Sequence, residues 1–221
     1  MPCIFISSQS FENPIIPGDT IIGTSTGNQR DMPWSHYYFY SYSGVLLKPS
    51  QLSAIPNGAK ITRIEYQYEV LTNGTYGVEN VDSYMFQTPS TFTGFPSNTR
   101  INGYSNGVDE WNNSITNYFQ TEYNTTIPLV IISSDPNIMW RGLTLTNPYQ
   151  NFDNTKNLII IFNCKDGYYS PGSQTYPRVK GNLNTNTGTC YFGRRDSSAY
   201  QLTDYVNKQL NFFPNMRIYW E

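Results

Sequence analysis

The sequence predicts an all-β, antiparallel sandwich with at most one or two short helices, and three observations carry that prediction. Alanine, the best helix former, occurs only at Ala54, Ala59 and Ala199, whereas Tyr (19) and Phe (12) abound beside Thr and Ile, all of which favour strands. Short apolar or alternating runs recur between breaks rich in Gly, Pro and Asn, which is the punctuation of a sandwich. Charged residues make up only 14% of the chain, against about 25% in an average domain. Its polarity comes instead from Asn, Thr and Ser.

Taken in order, the predicted strands cover residues 37–47, 60–70, 83–87, 127–133, 140–145, 157–163, 189–193 and 216–220. In the second, Ile64, Tyr66, Tyr68 and Val70 alternate with Glu65, Gln67 and Glu69, so one face is buried and the other wet. By contrast, Leu158-Ile159-Ile160-Ile161-Phe162 is continuously apolar, as suits a central strand covered on both faces, although a short buried helix has the same pattern. Between the runs lie Pro56-Asn57-Gly58, Asn73-Gly74, Asn102-Gly103, Asn106-Gly107 and Ser170-Pro171-Gly172, whose Asn and Gly tolerate the left-handed backbone of tight turns. One helix is expected near the C-terminus, where Leu202, Val206 and Leu210 recur at helical spacing ahead of Pro214. The stretch 88–126 reads as loops.

With 221 residues and no Pro- or Ser-rich linker or internal repeat, residues 23–221 are expected to form one domain, preceded by an arm or first strand over 1–22. Lys and Arg total 14 against 16 Asp and Glu, which leaves no electrostatic footprint for direct nucleic-acid binding. The start Met1-Pro2-Cys3-Ile4-Phe5-Ile6-Ser7 lacks the basic region and apolar run of a signal peptide, and no 18-residue apolar stretch occurs. The chain is therefore expected to be soluble, unprocessed and without a membrane partner. Cys3, Cys164 and Cys190 form no C-x-x-C pair, and with one histidine they cannot supply the roughly four ligands of a zinc site. Buried thiols are the expectation, with a Cys164–Cys190 disulfide as the alternative.

No catalytic, cofactor or metal residues are predicted, and each chemical motif has a structural explanation. Gly103-Tyr104-Ser105-Asn106-Gly107 fits the G-x-S-x-G nucleophile elbow, yet its flanks lack the strand-then-helix pattern and the single histidine, His36, lies upstream. Asp109-Glu110-Trp111 offers two carboxylates beside an aromatic, but adjacent residues on an extended chain point to opposite faces and cannot flank one glycosidic bond. Asp135-Pro136-Asn137 and Asp153-Asn154 lack the dense carboxylates of a calcium site and read as turns. In His36-Tyr37-Tyr38-Phe39-Tyr40-Ser41-Tyr42, Tyr38, Tyr40 and Tyr42 share a face, which is expected to be buried; a Tyr-lined face for a protein or glycan partner is the functional alternative.

The segments Gly23-Thr24-Ser25-Thr26, Met32-Pro33-Trp34, Tyr37 to Ser43, Pro49-Ser50-Gln51-Leu52, Ile55-Pro56-Asn57-Gly58-Ala59-Lys60-Ile61-Thr62-Arg63-Ile64, Trp140-Arg141-Gly142-Leu143-Thr144-Leu145, Asn147-Pro148, Asn157-Leu158-Ile159-Ile160-Ile161 and Pro214-Asn215-Met216-Arg217-Ile218 follow one another in this order. Together they resemble a β-sandwich domain recurrent in surface and secreted proteins of Bacteroidetes bacteria. The resemblance spans about residues 23 to 220. It implies a jelly-roll-like fold and carries over no catalytic residues. The bacterial copies usually follow a signal peptide and adjoin other modules, so a free-standing copy suggests a phage of these bacteria, such as a crAss-like phage. The expected function is a non-catalytic virion structural protein (capsid decoration, head-fibre or tail-associated component) that works through contacts with other virion proteins or itself. The expected location is the virion, with the host cytoplasm during assembly. The alternative is a carbohydrate-binding or adhesive module of a bacterial surface system, with a glycan as partner.

Overall fold

The computed structural model describes residues 15–29, 32, 40–69, 81–95, 104–105, 108–109, 121–123, 138–165, 178–183, 188–199 and 209–221. In chain order its elements are β1 (Gly18–Ile22), β2 (Gly27–Gln29), β3 (Tyr40–Leu47), α1 (Pro49–Leu52), β4 (Ile61–Glu69), β5 (Val81–Thr88), β6 (Tyr104–Ser105), β7 (Val108–Asp109), β8 (Thr121–Tyr123) and β9 (Ile138–Tyr149). They continue with β10 (Asn157–Cys164), β11 (Arg178–Asn182), β12 (Cys190–Arg195), β13 (Gln209–Leu210), β14 (Phe213–Pro214) and β15 (Met216–Trp220). Two antiparallel sheets contain nearly all of these strands, so the fold is the all-β sandwich that the sequence predicts.

The seven-stranded sheet runs β1-β15-β4-β11-β14, with β9 on the other side of β4 and β2 on β11. The six-stranded sheet runs β13-β12-β3-β10-β5-β8. Successive segments cross from one sheet to the other, as β3, β4 and β5 do and as β9, β10, β11 and β12 do again. Alternation along each strand then fills the space between the layers. Ile64, Tyr66, Tyr68, Met216 and Ile218 from one sheet meet Val45, Leu47, Leu158, Ile160 and Phe162 from the other. The rings of Tyr66 and Phe162 pack edge to face at 5.9 Å. Each such fully buried side chain is worth about 1.5–3 kcal/mol relative to exposure.

The six-stranded sheet is buried on its second face too. Tyr42, Leu46, Tyr84, Phe86, Ile159, Ile161 and Tyr191 form an outer apolar cluster there, closed by Phe95 and Phe92. This explains the continuous apolar run of β10, all eight of whose residues are buried. It also buries part of the tyrosine-rich segment: Tyr42 is only 1% exposed, whereas Tyr40, at the start of β3, is half-buried. Residues 33–39, including His36, lie outside the described residues. Tyr42 lies opposite Gly193, and Tyr191 opposite Gly44. A Cβ on either glycine would collide with the tyrosine ring opposite, so each ring occupies the space its partner glycine leaves. The two rings meet at 5.8 Å.

Several sequence-based boundaries change. Predicted strands 83–87 and 140–145 lengthen to β5 and β9, while 127–133 lies outside the described residues. Residues 88–126, read as loops, include β8 paired with β5 and the small hairpin of β6 and β7. Leu210, expected to end a helix, instead extends the ladder in β13 opposite Cys190, since pairing with the edge of β12 overrides local helical spacing. Residues 200–208 lie outside the described residues. The alternative Cys164–Cys190 disulfide does not form. The two residues flank β3 on opposite sides, opposite Ser41 and Val45 respectively. Two strand spacings plus four residues of stagger put them well beyond the roughly 7 Å Cα limit of a bridge. Cys3 lies outside the described residues.

Candidate functional site

The outer face of the seven-stranded sheet is built differently from that of its partner. Strand alternation that sends Ile64 and Tyr66 inward sends Arg63 and Glu65 outward, and likewise Arg217 and Tyr219 from β15. Register brings these side chains together: Glu65 lies opposite Arg217, and Arg63 opposite Tyr219 on one side and Thr144 of β9 on the other. Asp19 of β1 is opposite Tyr219, and Trp140 of β9 is opposite Gln67.

Glu65 lies at the centre. The sequence pattern put it on the wet face, but it is only 5% exposed, because the longer side chains around it close over the carboxylate. Removing a carboxylate from water costs several kcal/mol unless it is paired and hydrogen-bonded. Both oxygens are satisfied. Arg63 donates through Nε at 2.9 Å and Nη2 at 2.6 Å to Oε1, while the Tyr219 hydroxyl donates to Oε2 at 2.9 Å. Arg217 adds an ion pair from Nη1 to Oε2 at 3.6 Å and donates to the Tyr219 oxygen at 3.1 Å. Its Nε faces Asp19 Oδ2 at 3.7 Å, and that setting, led by the Tyr219 hydrogen bond, raises the guanidinium pKa above its ordinary value.

An aromatic layer completes the cluster. The Arg217 guanidinium stacks 4.6 Å from the Trp140 ring centroid, and that of Arg63 lies 5.9 Å from the Tyr219 ring. Arg63 Nη1 also donates to Thr144 Oγ1 at 3.1 Å, tying β9 to the group. Arg63 and Arg217 offset Asp19 and Glu65, so these four side chains carry no net charge. The arginine side chains stay 39% and 25% exposed, leaving donor edges and ring surface within reach of a partner.

The residues singled out from sequence do not converge. Ser105 lies in β6 opposite Val108 of β7, and Asp109 lies opposite Tyr104, so the G-x-S-x-G match is strand followed by strand rather than strand followed by helix. Glu110, Trp111, Asp135 and Asn137 lie outside the described residues. Asp153 does form a turn: Oδ1 accepts from the Thr155 backbone at 2.9 Å and its hydroxyl at 2.6 Å, and these bonds hold the carboxyl below its ordinary pKa. Asn154 is held by Asn57 and by the Ile55 carbonyl. Among the described residues, no group of three or more His, Cys, Asp or Glu is placed to hold a metal.

Comparisons with family models, curated proteins and solved structures find no match to this chain. The Arg63, Glu65, Trp140, Arg217 and Tyr219 cluster escaped sequence reasoning because its members come from three strands. The available signal was two short patterns, Arg63-Ile64-Glu65 and Arg217-Ile218-Tyr219, each placing polar groups two residues apart on one strand face.

Proposed function

We propose that this chain is a non-catalytic assembly protein, a virion component of the decorating, head-fibre or tail-associated kind, that docks other virion proteins or copies of itself through the outer face of its seven-stranded sheet. The observation that carries this reading is the layer of Trp140, Arg217, Tyr219 and Arg63 over buried Glu65. Interface hot spots are enriched in Trp, Tyr and Arg, and they gain most where the side chains are ordered before binding. Here the Glu65 carboxylate fixes both arginines and the tyrosine in advance. The virion assignment draws its support from the resemblance to the Bacteroidetes domain and from the low charge of the chain.

Mass spectrometry of purified phage particles provides the test, paired with particles carrying Arg217→Ala. The expected result is that the protein is present in wild-type particles and that the variant is retained at least about tenfold less, the loss of a single hot spot. Absence from wild-type particles overturns the virion assignment, and full retention of the variant overturns this face as the docking surface. A second reading, an adhesive carbohydrate-binding module, is favoured by a separate feature: an uncharged cleft beside β2 and β11, about 320 Å³ in one lobe and 340 Å³ in the next.

A further inference from the structure

We infer that this cleft is a binding site for a neutral carbohydrate, with the segment Gly23-Thr24-Ser25-Thr26 as its recognition loop. The inference rests on the adhesive reading above and is independent of the assembly face. The two lobes share Ser25 and Asn182, so they form one continuous groove. Such volumes lie within the range of small-molecule sites, about 300–1,000 Å³.

The loop is positioned by a side chain that does not itself reach out. Asn215, 1% exposed, accepts from the Ser25 backbone N–H at 3.1 Å and donates to the Ser25 carbonyl at 2.8 Å. Its Nδ2 also donates to Gln67 Oε1 at 2.7 Å, which fixes the amide in one orientation. Gly23 makes the close approach possible: its φ is +82°, and a Cβ there would stand 2.8 Å from Asn215 Oδ1. Both peptide groups of Ser25 are thus satisfied from beneath. The hydroxyls of Thr24, Ser25 and Thr26 have no partner among the described residues and remain available along the groove.

Opposite the loop, Gln51 of α1 adds a donor. Its Oε1 accepts from the Lys48 backbone N–H at 2.8 Å, so Nε2 is the end left over for the cleft. Apolar contact comes from Phe213 in one lobe and from Leu183, 50% exposed, in the other. None of the described residues that line either lobe carries a formal charge.

This chemistry selects the ligand. Among the described lining residues, phosphates, carboxylates and amines find no counter-charge, and a metal ion finds no carboxylate. A peptide in strand conformation needs a free backbone edge of several residues; β11 is paired with β2 and β4 on its two sides, and the outer edge of β2 offers only Gly27–Gln29. What remains is a set of neutral hydroxyl and amide groups converging from separate segments, beside small apolar patches. That set matches a sugar ring, which carries hydroxyls at its rim and C–H groups on its faces.

The test is a screen of the full chain against neutral and acidic oligosaccharides by glycan array, followed by calorimetric titration of the best neutral trisaccharide. Binding is expected at a Kd between about 0.1 and 10 mM. Ser25→Tyr, which fills the groove, should weaken it at least about tenfold, and the double variant Thr24→Val with Thr26→Val by about three- to tenfold. Unchanged thermal melting establishes that these variants fold, and Arg217→Ala on the assembly face should leave sugar binding intact. If a neutral sugar binds but Ser25→Tyr and the valine pair leave its Kd unaltered, the cleft is wrong while the adhesive reading stands. If no saccharide binds at about 10 mM, both fall. Tighter binding of acidic than of neutral sugars, or of a peptide at Ser25 and Asn182 by NMR shift mapping, also overturns the proposal.

Discussion

The two outer faces of the sandwich solve the same problem in opposite ways. On the six-stranded sheet, Ile159, Ile161, Phe86 and Tyr191 continue the apolar core outward beneath Phe92 and Phe95. On the seven-stranded sheet, the equivalent layer is Arg63, Glu65, Arg217 and Tyr219, with Trp140 at its side. The first face is closed by its own chain through non-directional burial. The second is ordered by directional, charge-assisted bonds and keeps part of its surface in water. A face of the second kind holds its shape without a cover, and that is what a docking surface requires.

The same substitution on each face breaks this comparison most sharply. Ile161→Asp places an unpaired carboxylate in the covered cluster and should cost more than about 5 kcal/mol, enough to prevent folding in a denaturant titration. Thr144→Asp, on the open face beside Arg63, should stay within about 0.5 kcal/mol of wild type. Comparable losses at both sites would mean that the faces do not differ in kind.

Alkali gives the next largest effect. Tyr66 and Tyr68 in the inner core and Tyr191 in the covered cluster are fully buried, and burial pushes each phenol well above its ordinary pKa. Below about pH 10 the phenols are neutral in both folded and unfolded chains, so their contribution is fully present. Above it the unfolded chain releases protons that the folded chain retains, and stability falls as pH rises. Each phenol adds about 1.4 kcal/mol per pH unit, so the three together should give about 4. The buried Cys190 thiol, also shifted upward by burial, adds a slope of the same sign. Thermal melting between pH 8 and 11 reads this out, and Tyr191→Phe should remove about a third of the phenol slope. An unchanged slope in that variant would place Tyr191 in contact with water.

The smallest effect concerns Glu65. Glu65→Gln keeps the size but removes the charge that orients Arg63 and Arg217, and it should cost about 2 kcal/mol, less than a fully buried pair because both arginines remain partly wet. The loss should shrink in Glu65→Gln combined with Arg63→Met, a coupling that a double-mutant cycle measures. Additive losses would show that Glu65 does not organise the face through Arg63.

The fold was more legible than the site, for a physical reason. Strand burial leaves a one-dimensional trace: the unbroken Leu158 to Phe162 run foretold two covered faces, and alternation from Ile64 to Tyr68 foretold one inner face. Short strands such as β2 and β11 left no such trace, since only Val179 and Gly181 of β11 are buried and β2 has no buried residue. The Glu65 cluster depends on register across three strands, and nothing in the sequence of β4 states which residues of β15 and β9 will face it. The polar loop was visible as Gly23-Thr24-Ser25-Thr26, but its clamp, Asn215, lies 190 positions away.

That separation, together with the pairing of Gly18 with Trp220, sets the order in which the molecule is completed on the ribosome. Strand β3 can find β10 and β12 once residue 195 is exposed, whereas β1 waits for β15 and the Ser25 loop waits for Asn215. At about 5–20 residues per second, the first strand emerges roughly 10–40 s before its partner. The β1–β15–β4 part of the seven-stranded sheet, with its proposed docking face and the proposed sugar-binding loop, is therefore the last part to close. A nascent chain arrested before residue 215 would hold β4 between β9 and β11 but lack β15, leaving β1 unpaired and uncovering the part of the apolar interior that Met216 and Ile218 fill, the form most in need of a chaperone.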